Sequence, residues 1–275
     1  MLAALIIVFR EVIEAGLIVG IVLAATVSVP RRGWWVAGGA GAGTLGAVIV
    51  AMFAGAISAA FAGVGQELLN AAILAVAVVM LTWHNVWMAR HGREMAAEMR
   101  AVGQAVVAGT RALSALAVVV GVAVLREGFE VVLFLYGVIA AEGGTGAGIV
   151  AGGFAGLALG ALVSALTYFG LLKIPSRYLF AVTSVLIALL AAGMAAQAVA
   201  YLEQANAVTA LETILWDSSN ILSDSSLVGR ALHTLVGYTD RPTEMQALAY
   251  LATLALMFVL MRTAAPIRQP VSGRG

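Results

Sequence analysis

The chain has 275 residues, of which 62% are hydrophobic and only 11% charged, and its mean hydropathy is +1.03. A soluble domain carries roughly 45–50% apolar and about 25% charged residues, so this chain lacks the polar side chains to cover a soluble surface. A formal charge of +1 excludes the clustered basic face that nucleic acid requires, and the absence of cysteine excludes disulfides, thiolate metal sites, iron–sulfur clusters and cysteine nucleophiles. The composition is that of an all-α integral membrane protein.

The N-terminus is apolar from Leu2, but no basic segment precedes it, and Arg10, Glu11 and Glu14 lie inside the apolar stretch. It reads as a first membrane span with charges in it rather than as a cleaved leader. A helical crossing needs about 20 mostly apolar residues. Seven segments qualify: 2–29, 34–62, 68–88, 113–141, 145–172, 178–202 and 245–261. Their apolar runs far exceed the ~10-residue alternating strands of a barrel. Turn or charge signals separate them at Pro30-Arg31-Arg32-Gly33, Glu142-Gly143-Gly144 and Lys173-Ile174-Pro175.

Basic residues predict the orientation, because cytoplasmic loops carry the excess. Arg31, Arg32, Arg90, Arg93, Arg100, Arg111, Lys173, Arg177, Arg262, Arg268 and Arg274 fall on one side, and only Arg230 and Arg241 on the other. The N-terminus is therefore expected outside, and the C-terminus in the cytoplasm, of a multi-pass protein of the cell (inner) membrane. Glu67, Glu142, Glu203, Glu212, Asp217, Asp224, Asp240 and Glu244 gather on the outer side. They form either a solvated surface or a cation-attracting vestibule, for which Glu203, Asp217 and Asp224 are candidates. Residues 89–112 continue the third helix into the cytoplasm. In the long outer loop, 209–216 and 225–238 have the spacing of short interfacial helices.

The chain also repeats itself. Phe9-Arg10-Glu11-Val12-Ile13-Glu14 in the first span matches Leu125-Arg126-Glu127-Gly128-Phe129-Glu130 in the fourth, 116 residues later. Small residues recur every fourth position in the second span (Gly39, Gly43, Ala47, Ala51, Gly55) and the fifth (Gly144, Gly148, Gly152, Gly156, Gly160), a pattern that lets helix backbones approach closely in lipid, within or between subunits. Three spans per unit is odd, so the second unit inserts upside down. The predicted architecture is a 3+3 inverted repeat plus one helix: 1–112, then 113–202, then 203–275 with the outer loop, seventh span and tail. Substrate sites of such carriers lie near the midplane at the repeat interface.

At ~100° per residue, Arg10, Glu14 and Glu11 fall at about 0°, 40° and 100° of one helix face, and Arg126, Glu130 and Glu127 do the same. An ionisable residue at a span centre costs on the order of 2.5–3.5 kcal/mol by insertion scales, so six of them must face the bundle interior. Pairing each arginine with its i+4 glutamate leaves Glu11 and Glu127 over, and four carboxylates against two guanidiniums leave a charge of −2. Carboxylates without thiolates suit hard or borderline cations such as Mg²⁺, Ca²⁺, Mn²⁺, Fe²⁺ or Fe³⁺. Arg10 and Arg126 orient the ligands. His84 is a candidate further ligand on the exit path, against the more common role of a hydrogen-bonded interfacial histidine. Tyr136 is a candidate lining residue of the same path.

Two Arg-Glu-x-x-Glu motifs in spans one and four of a seven-span chain resemble the oxidase-dependent iron permease family, which comprises fungal high-affinity and bacterial EfeU-type permeases with the motif Arg-Glu-Gly-Leu-Glu. The stretch Gly229-Arg230-Ala231-Leu232-His233-Thr234 through Arg241-Pro242 is similar to the bacterial members before their last span. The resemblance covers essentially the whole chain. It implies that Glu11, Glu14, Glu127 and Glu130 carry iron with Arg10 and Arg126 required beside them. It also implies no cofactor beyond the transported iron, and partners that are a multicopper oxidase or periplasmic iron-handling proteins. The first motif has Val12-Ile13 for Gly-Leu and the second Phe129 for Leu, while every charged position matches; the missing first glycine bears on how closely span one packs. Two other readings compete: a carrier of Mn²⁺ or Pb²⁺, and a membrane-embedded hydrolase with Glu127 as base assisted by His84 and Asn85.

Overall fold

The structure, a computed structural model, describes residues 1–60, 66–142, 146–170 and 176–264. Among them are eight helices: α1 (Leu2–Ala25), α2 (Arg32–Ala60), α3 (Gln66–Val107), α4 (Ser114–Glu142), α5 (Gly146–Tyr168), α6 (Ser176–Gln204), α7 (Leu227–Val236) and α8 (Glu244–Ala264). Residues 143–145, 173–175, 268 and 274, and the side chains of Arg93, Glu142 and Arg177, lie outside the description.

Five helical stretches are long and apolar enough to cross a membrane: Arg32–Phe53, Gln66–Gly92, Gly146–Tyr168, Ala181–Gln204 and Glu244–Thr263. Helices α1 and α4 are of similar length, but each carries three ionisable residues in its middle. At 42 residues, α3 is about 63 Å long, twice the roughly 30 Å of bilayer hydrocarbon, so it runs on through the polar segment after Met88, ending at Val107 rather than at the expected 112.

The long connection between α6 and α8 departs from expectation. Its second amphipathic stretch forms α7, with Ser226 accepting the Gly229 N–H (2.9 Å) as N-cap and Gly237 closing the helix at φ 68°. Residues 209–216 are extended rather than helical. Leu211 takes φ 58°, and the segment exchanges backbone hydrogen bonds with the start of α8: Leu215 N–H to Pro242 O (3.0 Å), Glu244 N–H to Thr213 O (3.0 Å) and Met245 N–H to Leu211 O (3.2 Å). β-Branched Thr213 and Ile214 favour that geometry, and Leu211, Ile214, Leu215 and Trp216 remain exposed.

Side-chain contacts fix the helix directions. Glu11 with His84 and Ala25 with Gly103 make α1 parallel to α3. Arg126 with Trp87 and Gly137 with Ala77 make α4 antiparallel to α3, and so to α1. The most extensive packing is of α2 on α4, α1 on α5 and α3 on α6. Glycine makes the first two possible. A Cβ on Gly156 of α5 would lie 2.5 Å from Leu5 O and 2.9 Å from Phe9 N of α1; one on Gly43 of α2 would lie 2.5 Å from Gly121 O and 2.9 Å from Leu125 N of α4. The two pairs make the same contacts, displaced by 116 residues from α1 to α4. The glycine stripe of α5 thus serves packing within the chain.

Two apolar clusters occupy the core. One gathers Ile7, Leu74, Leu81, Phe134, Val138 and Ile187 towards the start of α1. The other holds Val22, Val36, Val106, Leu116 and Val120 towards its end. The ionisable residues of α1 and α4 lie between them.

Candidate metal-binding site

Arg10, Glu11, Glu14, His84 and Glu127 are each at most 3% exposed and Glu130 8%, so the structure buries all four glutamates of the two motifs together. On α1, Arg10 Nη1 donates to Glu11 Oε1 (3.2 Å), and its Nε stands 3.0 Å from Glu14 Oε1. On α4, Arg126 Nε donates to Glu130 Oε1 (3.2 Å). Both i,i+4 pairs therefore form.

The repeated motifs are not used alike. Arg10 is fully buried and spans two glutamates, whereas the Arg126 side chain is 34% exposed, serves one, and lies 4.1 Å over the Trp87 ring. Among the described residues, both oxygens of Glu127 are buried without a hydrogen-bond donor. A buried carboxylate with no donor is costly unless a cation or a proton supplies what is missing.

His84 joins the two motifs. Its Nε2 lies 3.5 Å from Glu14 Oε2 and 3.9 Å from Glu11 Oε2, and its Nδ1 contacts Glu130 Oε2. The Phe134 ring approaches it edge-on at 6.3 Å. Beside it, Asn85 Nδ2 donates to Ser184 O (3.3 Å) on α6, which holds this turn of α3 in place. One donor atom each from Glu11, His84, Glu127 and Glu130 lie within 4.8 Å of one another. Metal–ligand bonds of ~2.0–2.5 Å place opposite donors ~4–5 Å apart, so the four fit around one ion.

The packing of the first motif is also accounted for. Val12 stands where the second motif has Gly128, but it faces Gly160, on which a Cβ would lie 2.8 Å from Val12 Cβ; Gly128 instead faces Ala47, with a Cβ 2.5 Å from that of Ala47. The large and small partners exchange sides, so α1 approaches its neighbour closely without its own glycine.

The remaining candidates lie apart from the cluster. Tyr136 directs its hydroxyl to Ala51 O on α2 (3.5 Å). Glu203 accepts from Thr243 Oγ1 and Gln246 Nε2 (both 2.7 Å), tying α6 to the start of α8. Asp217 accepts from the Ser219 hydroxyl (2.6 Å) and N–H (3.0 Å) and pairs with Arg241 (3.0 Å). These bonds hold its carboxyl down at about 2. Asp224 and Asp240 accept each other's backbone N–H groups (3.1 and 3.2 Å), and burial raises the Asp224 carboxyl above its ordinary range. These acids are engaged in shaping the connection. Sequence reasoning did not find Trp87 or Phe134; the available signal was the spacing of Trp87 three residues after His84, and of Phe134 four after Glu130.

Residues 1–266 match the iron permease FTR1 family. The ferrous iron permease EfeU of Yersinia pestis is 32% identical, covering 94% of this chain and 93% of that protein. Its counterparts in Escherichia coli O6:H1 and Shigella sonnei are 31% identical (94% and 96% covered) and 30% identical (88% of each). No solved structure matches the chain. By a match that runs nearly end to end, the chain belongs to the iron permease FTR1 family.

Proposed function

We propose that the chain carries Fe²⁺ across the cell membrane through a site formed by Glu11, Glu14, Glu127 and Glu130, with His84 as a nitrogen ligand and Arg10 and Arg126 orienting the carboxylates. The observation that carries this is the convergence of both motifs on one imidazole between two apolar clusters, with Glu127 left without a donor. Four carboxylates, two guanidiniums and a neutral imidazole sum to −2, the charge a divalent ion neutralises. An imidazole among carboxylates shifts preference from hard ions towards borderline Fe²⁺, in keeping with the ferrous iron named for the relatives. The family is one of permeases, so the hydrolase reading falls away.

The architecture that supports this is a seven-span bundle: an inverted repeat of 1–112 and 113–202, with 203–275 added. Antiparallel α1 and α4 and the matched glycine contacts favour it. The basic residues favour a cytoplasmic C-terminus in the inner membrane, and periplasmic iron-handling or oxidase proteins are the partners that this orientation suits. Iron accumulation in cells or proteoliposomes tests the site. Glu14→Ala and Glu130→Ala should each abolish uptake at unchanged membrane levels, and undiminished accumulation in both overturns the site. Fe²⁺, Fe³⁺ and Mn²⁺ supplied in parallel identify the substrate.

A further inference from the structure

We infer that a cavity beside α1, beyond the carboxylate cluster, is the water-filled chamber by which the cation leaves towards the cytoplasm, and that Tyr136 seals its counterpart on the outer side. This rests on the transport reading and orientation proposed above. The cavity, about 450 Å³, lies between α1, α5 and the extension of α3, lined by Leu17, Ile21, Arg100, Gln104, Ser164 and Thr167 among others. Leu17 follows Glu14 by three residues, about 4.5 Å along the helix, so the chamber begins within one turn of the site. Among the described residues, the lining holds no carboxylate and one guanidinium, Arg100. A cation entering it is not retained, which suits release.

The internal correspondence identifies what differs at the other end. The displacement that equates Leu5 with Gly121 equates Gly20, in the chamber wall, with Tyr136; that which equates Gly156 with Gly43 equates Ser164 with Ala51. Where α1 has no side chain, α4 places a phenol whose hydroxyl reaches Ala51 O across the α2–α4 contact. Beyond the site on that side, Ile7, Leu74, Leu81, Phe134 and Val138 are at most 1% exposed. Among the described residues, the structure is thus closed to the outside and open, along one side of α1, to the cytoplasm.

Because the chain has no cysteine, single cysteines in the full-length protein report access directly. Gly20→Cys is tolerable, since a Cβ there meets only the Tyr168 ring at 3.7 Å; Ala24→Cys serves as a second probe of the same wall. In membrane vesicles of both orientations, a charged, impermeant methanethiosulfonate should label each at least tenfold faster from the cytoplasmic face. Val132, one turn before Tyr136 on α4, is 9% exposed; Val132→Cys should be protected from the outer face, and Tyr136→Ala should raise its outer labelling at least tenfold. Labelling at Gly20→Cys and Ala24→Cys by a lipid-soluble maleimide alone would mean a lipid-filled groove and overturn the chamber. Equal rates from both faces would overturn the closed state, and unchanged Val132→Cys labelling would overturn the role of Tyr136. Labelling requires no iron, so a failed uptake assay strikes the metal site while leaving this result to stand or fall separately.

Discussion

Arg10 and Arg126 occupy equivalent places in sequence and unequal ones in space, and the difference sets what each is worth. Removing one partner of a fully buried ion pair leaves an uncompensated charge and costs about 3–5 kcal/mol. Arg10→Ala takes the guanidinium from both Glu11 and Glu14, leaving them to share one His84 nitrogen at 3.9 and 3.5 Å, and should destabilise the protein by that order. Arg126→Ala should cost clearly less, because its guanidinium is a third exposed and Glu130 retains His84. Thermal unfolding in detergent compares the two, and equal losses would contradict the assigned asymmetry. His84→Ala removes the nitrogen donor while leaving four carboxylates in place; by analogy with the ~10–100-fold effects of altering a metal ligand's support, Fe²⁺ affinity should fall at least that far. Mn²⁺ and Mg²⁺ should compete better than before, so competition uptake reads the change, and an unaltered metal preference would remove His84 from the ligand set. The burial of the glutamates and arginines was legible in the sequence because charge inside a span is too costly to face lipid. The position of His84 was not. Counting 20 apolar residues ends the third span soon after it and puts His84 near a helix end, whereas α3 continues to Val107 and leaves His84 level with Glu14 and Glu130.

Among the elements, the α1–α5 and α2–α4 pairs are two solutions to one packing problem. Gly160→Ala places a methyl against Val12 Cβ and Phe9 O, and overpacking of this kind costs typically 1–3 kcal/mol. Adding Val12→Gly recreates on α1 and α5 the pairing that Gly128 and Ala47 already make on α4 and α2. A double-mutant cycle should therefore show a favourable coupling of 0.5–3 kcal/mol, the range for residues in contact; additive losses would mean that the two interfaces are not equivalent. The stripe was visible in sequence, but its partner was not, since a repeat of small residues says nothing about which helix fills it. The α6–α8 connection shows the opposite limit. Residues 209–216 carry a helical apolar spacing, yet backbone bonds to the start of α8 win, a choice that local periodicity cannot register. Within that connection, burial raises the Asp224 carboxyl above its unfolded value of about 3.9. The folded state then binds more protons between those two values, so the folded connection loses stability as pH rises through that window, because the buried carboxyl must ionise even though the Asp240 N–H favours the ionised form. Asp224→Asn keeps an acceptor for the Asp240 N–H and should remove this pH dependence, as read by hydrogen exchange at Asp240 between pH 4 and 7.

At the scale of the whole molecule, the repeat seen in the sequence does not correspond to two bodies. The three largest helix contacts, α2 with α4, α1 with α5 and α3 with α6, all join residues before 112 to residues after 113, and contacts between α1 and α2 are few by comparison. Each half presents its glycine or backbone face to the other, and both Arg-Glu-x-x-Glu motifs lie on the surface where the halves meet. The sequence could reveal the duplication, since matching motifs are local, but the exchange of partners depends on which faces meet and is not written in any one segment. The consequence can be tested by cutting the chain in the exposed turn at Thr110–Ala112, which separates α3 from α4. Expressed alone, residues 1–112 leave the glycines of α2 and the charges of α1 facing lipid, and intramembrane charge so placed costs several kcal/mol; the fragment should be degraded or aggregate. Co-expressed with 113–275, it should co-purify and restore iron uptake, because the broken connection carries little of the packing. A stable, monodisperse 1–112 fragment, or two fragments that accumulate without associating, would show that the halves fold as independent units and that the site is not built at their interface.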